Sequence, residues 1–230
     1  MKLCLKTAIQ SKLSALWEAA DMAIPTREEM YRALEERHGA EYQKKLSAAS
    51  VAVCGLGGLG SNIAIALARA GVGKLHIIDF DTVDISNLNR QQYFPEQLGQ
   101  PKSQALYYTL HRIAPYCEIT AHQLKLTEEN IPSLLADDDI ICEAFDKADQ
   151  KAMLVNCVLE NMPQKYIVSG SGMAGFGPSN TIQTKRVTGR FYLCGDEVSD
   201  VDEGVGLVAS RVLICAGHQA HAIVRIIVNS

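Results

Sequence analysis

The stretch GLGGLG at residues 55–60, running into the apolar segment 61–71, constrains this chain more than any other feature. Gly55, Gly57 and Gly60 fit G-x-G-x-x-G, with Gly58 between them. That spacing lets a backbone turn tightly off a strand, approach a phosphate closely and set a helix on a sheet. The run SVAVCG at 50–55 is short, apolar, partly β-branched and stopped by glycine, and KLHIID at 74–79 repeats the pattern after the helical segment 59–70. Strand, glycine turn, helix and strand make a βαβ unit. Its crossover implies a parallel sheet with the loop at the carboxyl ends of the strands, where open α/β sheets bind ligands.

The alternation continues. Periodicity predicts a helix over 102–113 after Pro101, a strand near 117–124, a helix at 127–135, a strand at 139–145, a helix at 147–161 and a strand at 165–169. The expected fold is therefore α/β, a Rossmann-like, doubly wound and mainly parallel sheet. Beyond SGSGMAGFGPSN the pattern changes to two adjacent strands, TIQTKRV and RFYLCG, which pair as a hairpin around Gly189 and give a mixed, antiparallel C-terminal extension. Residues 195–206 are acidic and aperiodic, as an exposed loop is. Upstream, 5–20 and 27–47 read as helices, the second opened by a Thr26–Glu29 capping box. The expected organisation is an N-terminal helical arm over 1–48 and one domain over 49–230.

Net charge excludes some partners. With 22 Lys and Arg against 26 Asp and Glu, the formal charge is -4, which supplies no overall basic field for nucleic acid or an anionic membrane. Seven scattered cysteines form an odd set without a C-x-x-C pair. This fits a reducing, cytoplasmic compartment and gives no support to a structural zinc site. Lys6, Gln10, Ser11 and Lys12 interrupt any signal-peptide core at the N-terminus. The apolar tail 206–230 carries Arg211, His218, His221 and Arg225, so it is read as a core or dimer helix; a central arginine costs about 2.5–3.5 kcal/mol in a membrane on insertion scales.

The glycine turn alone suggests a dinucleotide and hydride transfer. Asp79, at the end of the second strand, stands where an acidic side chain binds a ribose, but ATP also has a ribose. The following segment DFDTVDISNLNRQQYFPEQLGQPK decides more. It places Asn87, Arg90 and Gln91 past the strand end and Lys102 at the start of the next helix. A guanidinium fork and an ammonium at the rim of a glycine loop suit a triphosphate, and a nicotinamide site has no need of them.

GLGGLG, DFDTVDISNLNRQ, QPK and the later AFDKAD occur in the order and spacing of the adenylating domain shared by ThiF, MoeB and the ubiquitin-activating enzymes, which the chain resembles over about residues 27–190. Within that group it is most similar to short-form ThiF, the sulfur carrier protein adenylyltransferases of thiamine biosynthesis. The resemblance implies ATP and Mg²⁺ as cofactors and a ThiS-like carrier as partner. It also implies Asp79 on the ribose, Asn87 and Arg90 on the triphosphate, Lys102 near the α-phosphate and Asp146 as the magnesium carboxylate. Arg32 matches an arginine that reaches the ATP of the other subunit of a homodimer. Two departures stand out: the paired C-x-x-C zinc motifs of many relatives are missing, and Cys194 and Cys215, the candidates for a thiol that receives acyl or sulfur groups, sit in no matching motif. Alternative readings are a tRNA threonylcarbamoyladenosine dehydratase, which activates a carboxylate on RNA, a nicotinamide-dependent oxidoreductase and a non-catalytic nucleotide-binding scaffold.

Overall fold

The structure, a computed structural model, describes residues 24–201 and 204–230. The helix expected over 5–20 lies outside the described residues, as does part of the acidic loop. The chain begins with α1 (Arg27–His38) and α2 (Ala40–Ala48). Thr26 and Glu29 exchange the two hydrogen bonds of a capping box, as expected. The single helix expected over 27–47 is instead broken at Gly39, whose φ of 95° no helical residue adopts. The break lets α2 bury Gln43 and Leu46, whereas α1 buries nothing.

Strands β1 (Ser50–Cys54), β2 (Lys74–Ile78), β3 (Glu118–His122), β4 (Ile140–Glu143) and β5 (Tyr166–Gly170) are parallel to their neighbours. Between them run α3 (Gly58–Ala70), α4 (Lys102–Ile113), the single turn α5 (Ile131–Leu134) and α6 (Ala148–Asn161). The helix expected over 127–135 shrinks to that one turn. Its N-terminal part is instead tied by Asn130, which accepts from the backbone N–H of Thr127 and donates to the carbonyl of Lys125.

The hairpin forms as expected: β6 (Gln183–Arg186) pairs antiparallel with β7 (Phe191–Gly195). Its attachment was not legible in the sequence, since β7 joins β5 in parallel and leaves β6 at the edge. The seven strands take the order β3-β2-β1-β4-β5-β7-β6, reversing direction of travel between β1 and β4.

Strand periodicity builds two cores. Val51, Val53, Leu75, Ile77, Ile140 and Cys142 face the layer that includes α3 and α4. Ala52, Cys54, Ile78, Ile141 and Ile167 face α5 and α6 on the opposite side. Alternate residues point to opposite faces, so a sheet covered on both sides needs apolar residues at every position. The tail forms α7 (Ala209–Asn229), long and apolar enough by length and composition to cross a membrane. It buries Val212, Cys215, Ala216, Ile223 and Ile227 in the same core as α3. Arg211, only 4% exposed, is held by Asp196, Thr181 and the carbonyls of Gly177 and Pro178.

Candidate nucleotide site

The glycine turn lies at the carboxyl end of β1, beside the reversal in strand order. Gly55 has a φ of 91°, and a Cβ there would meet the Ala144 carbonyl oxygen at 2.8 Å. A Cβ on Gly60 would lie 1.8 Å from the Gly55 carbonyl oxygen. The protein's own packing therefore demands both glycines. Gly57 is different: a Cβ there meets nothing nearer than Gln91 Nε2 at 3.8 Å. The backbone at Gly57 is open on that side, and no side chain caps α3 at this position. Uncapped N–H groups at a helix N-terminus are a ready site for an anion.

Asp79 is 8% exposed, and its carboxylate accepts from Leu56 N at 2.6 Å and from Asp81 N at 2.8 Å. Burial raises its pKa above the usual carboxylate value, opposed by the Lys102 charge and by those two N–H donors. Each oxygen retains lone-pair capacity for a further donor. Lys102, 6% exposed at the start of α4, pairs with Asp81 at 3.1 Å. A continuous set of contacts thus runs from Lys102 through Asp81 and Asp79 to the glycine loop.

The segment carrying Arg90 is fixed to the other side of the same loop. Asn62 Nδ2 donates to the carbonyls of Gly58 and Arg90, and its Oδ1 accepts from Gln92 Nε2. Ser61 Oγ accepts from Gln92 N, and the buried Tyr93 hydroxyl donates to the Leu56 carbonyl. Arg90 Nη1 donates to the Ser86 carbonyl and to Asn89 Oδ1, whereas its Nε and the Oε1 of Gln91 are buried without partners among the described residues. Buried polar atoms normally have partners, so these two, on residues that lie against Gly57 and Gly58, mark a place where a polar ligand fits. Asn87 spends its Oδ1 on Asp84 N, which leaves its Nδ2 to donate elsewhere.

Asp146 follows β4 on the other side of the reversal. It is exposed and, among the described residues, forms no hydrogen bond or ion pair; the N-cap position of α6 falls on Lys147, whose side chain makes no capping hydrogen bond. Arg32 is not brought to these residues. It is exposed on α1, two residues before Leu34, which lies against Gly71 at the far end of α3 from the glycine turn.

Ser61, Asn62, Gln92 and Tyr93 escaped the sequence reading. Their signal is two polar residues at the start of an otherwise apolar helix. Cys194 and Cys215, weighed above as reactive thiols, are both buried in the core. Burial pushes their pKa values up to about 11 and about 12, so the thiol form prevails at neutral pH. In the folded protein, alkylation of both by iodoacetamide at pH 8 should run at least ~100-fold slower than in the unfolded chain. Peptide mass spectrometry checks this, and matching rates would overturn the burial argument. Among the described residues no cluster of three or more His, Cys, Asp or Glu could hold a metal ion.

A doubly wound sheet with an open, uncapped glycine turn at its switch point, flanked by the half-buried Arg90 and the buried Lys102, defines a Rossmann-like nucleotide-binding protein. The ThiF family pattern matches residues 30–230, and the chain belongs to the ThiF family. It is 33% identical over 136 residues to a sulfur carrier protein adenylyltransferase of Thermus thermophilus, covering 59% of this chain and 45% of that protein. To the molybdopterin-synthase adenylyltransferase of Salmonella typhimurium it is 35% identical over 156 residues, covering 67% of this chain and 61% of that one. The match to the adenylyltransferase and sulfurtransferase MOCS3 of Anopheles gambiae spans only 30% of that longer protein, at 37% identity over 59% of this chain. In fold, the chain is similar to E. coli tRNA N6-threonylcarbamoyladenosine dehydratase in complex with ATP. The TM-score is 0.78 at 20% identity, covering 89% of this chain and 97% of that one.

Proposed function

We propose that this protein is a cytoplasmic, homodimeric ATP-dependent adenylyltransferase that activates the C-terminal glycine carboxylate of a ThiS-like, ubiquitin-like sulfur carrier for thiamine biosynthesis. The observation that carries this reading is the set of cationic and N–H donors gathered around the glycine turn. Among the described residues Arg90 Nε is buried without an acceptor and the N-terminus of α3 is uncapped, and Lys102 is tied into the same loop through Asp81 and Asp79. Such a set suits the phosphates of ATP, with Asp79 accepting from the ribose hydroxyls and Asn87 and Gln91 donating to phosphate oxygens.

The carrier carboxylate attacks the α-phosphorus, the bond to the bridging oxygen breaks, and pyrophosphate leaves with that electron pair. The product is an acyl-adenylate. A carboxylate is already anionic, so the step requires alignment and relief of charge repulsion rather than a general base. Arg90 and Lys102 carry that positive charge, and Arg32 of the other subunit adds to it in the dimer. A lone exposed carboxylate suits Mg²⁺ that arrives with a nucleotide, because this ion keeps its waters and takes one or two carboxylates beside the phosphates. Asp146 would hold it, and the ion would offset phosphate charge.

The test is ATP–pyrophosphate exchange with carriers supplied singly. Exchange should require a carrier ending in Gly-Gly and fail when its last glycine is removed. Exchange undiminished with the shortened carrier, or driven by tRNA bearing threonylcarbamoyladenosine instead, would overturn the proposed substrate.

A further inference from the structure

We infer that Glu143 is a positioning residue that holds the 144–146 turn, and with it Asp146, against the glycine loop; this rests on the assignment of Asp146 to the nucleotide-bound metal. Glu143 closes β4 and is wholly buried. Its Oε1 accepts from Phe145 N at 2.6 Å, and Lys151 Nζ donates to both carboxylate oxygens at 3.1 Å. Ser169 Oγ donates to Oε2, and Gln219 Nε2 donates to the Glu143 carbonyl at 2.9 Å. Lys151 also donates to the Gly170 carbonyl, so β4, α6, β5 and α7 are joined at one residue, Glu143, α6 and β5 through its carboxylate and α7 through its backbone carbonyl.

A buried ion pair is a poor device for stability, since apolar residues of the same volume often serve as well or better. What a carboxylate adds here is an acceptor for Phe145 N–H, two residues on, which bends the chain after the strand. That bend, just beyond β4, touches the glycine turn. Ala144 N donates to the Cys54 carbonyl, and the Ala144 carbonyl and Phe145 ring are what a Cβ on Gly55 would strike. Asp146 has no partner of its own among the described residues, so its place relative to the glycine turn is inherited from residues 143–145.

The readout is the ratio of the ATP dissociation constant in EDTA to that in Mg²⁺, measured by calorimetry without any carrier. Asp146→Asn should cut this ratio about tenfold. Glu143→Leu combined with Lys151→Met, which removes the acceptor and leaves no unpaired charge, should do the same. In the Asp146→Asn background that pair should change the ratio less than about twofold, because both act on one group. Glu143→Gln with Lys151→Met keeps the acceptor for Phe145 N–H and should restore the ratio to within about twofold of the unmodified protein.

If Asp146→Asn leaves the ratio unchanged, the metal role of Asp146 falls and this inference falls with it. If Asp146→Asn lowers it and the Leu/Met pair does not, or the Leu/Met and Gln/Met pairs behave alike, only the positioning role is overturned. The unmodified protein supplies a check that no folding defect can spoil. The Phe145 amide should exchange with deuterium far more slowly than that of Asp146, and equal rates would overturn the inference.

Discussion

Gly60→Ala should destabilise the protein severely, whereas Gly57→Ala should leave it folded and unable to hold ATP. The two residues belong to one motif, but the structure gives them different work. At Gly60 a Cβ would stand 1.8 Å from the Gly55 carbonyl oxygen, a backbone atom fixed by the sheet on one side and α3 on the other. Overpacking a core costs about 1–3 kcal/mol when side chains can shift, and more where backbone must move. The expected loss therefore exceeds about 3 kcal/mol, or roughly 10 °C in melting temperature. At Gly57 the added methyl meets only Gln91 Nε2, at 3.8 Å. The cost to the fold is the poorer N-cap, no more than about 1 kcal/mol. The same methyl fills the approach to the uncapped N–H groups of α3, and ATP affinity should fall at least ~100-fold, about 2.7 kcal/mol. Thermal unfolding and ATP titration of the two variants check this. A Gly57→Ala protein that binds ATP normally would remove the phosphates from this turn.

Mixing Arg32→Ala subunits with Arg90→Ala subunits should restore activity that neither variant has alone. Arg90 flanks the glycine turn of its own chain, while Arg32 stands near the opposite end of α3. A helix of 13 residues rises about 20 Å, so Arg32 can serve a triphosphate only from another subunit. Each single variant should lose about 10²–10³-fold in pyrophosphate exchange, the usual cost of a donor that meets developing charge. In a two-fold dimer each heterodimer regains one site with both arginines and has one with neither. A random equal mixture should therefore recover about a quarter of the unmodified activity. Confirmed heterodimers without recovery, or a monomer that is fully active, would rule out the composite site.

Much of the fold was legible because it is set by neighbours in the chain. The apolar runs at 50–54, 74–78 and 140–143 could be read as fully covered parallel strands, and the glycine spacing placed the turn. The positions of Asp79, Arg90 and Lys102 around the turn were legible for the same reason, each at a fixed offset from a strand or helix end. Elsewhere local signals misled. The polarity pattern of 27–47 ran straight through Gly39, because periodicity cannot show that burying Gln43 and Leu46 requires a change of direction. The helix expected at 127–135 lost its first half to the local hydrogen bonds of Asn130.

By itself the sequence determined the βαβ grammar, the glycine turn and the identity of the cations beside it. These depend on backbone conformation and on spacing along the chain. The tertiary structure alone decided which glycine is demanded by packing and which is left open, that Cys194 and Cys215 are withdrawn from water, and that Arg32 is parted from the glycine turn of its own chain. It alone brought Glu143, Lys151, Ser169 and Gln219 from four elements to one point behind the site. The physical reason is that desolvation and close approach are properties of groups distant in sequence. A carboxylate at position 143 reads as one more charge until the sheet closes over it and makes every partner obligatory.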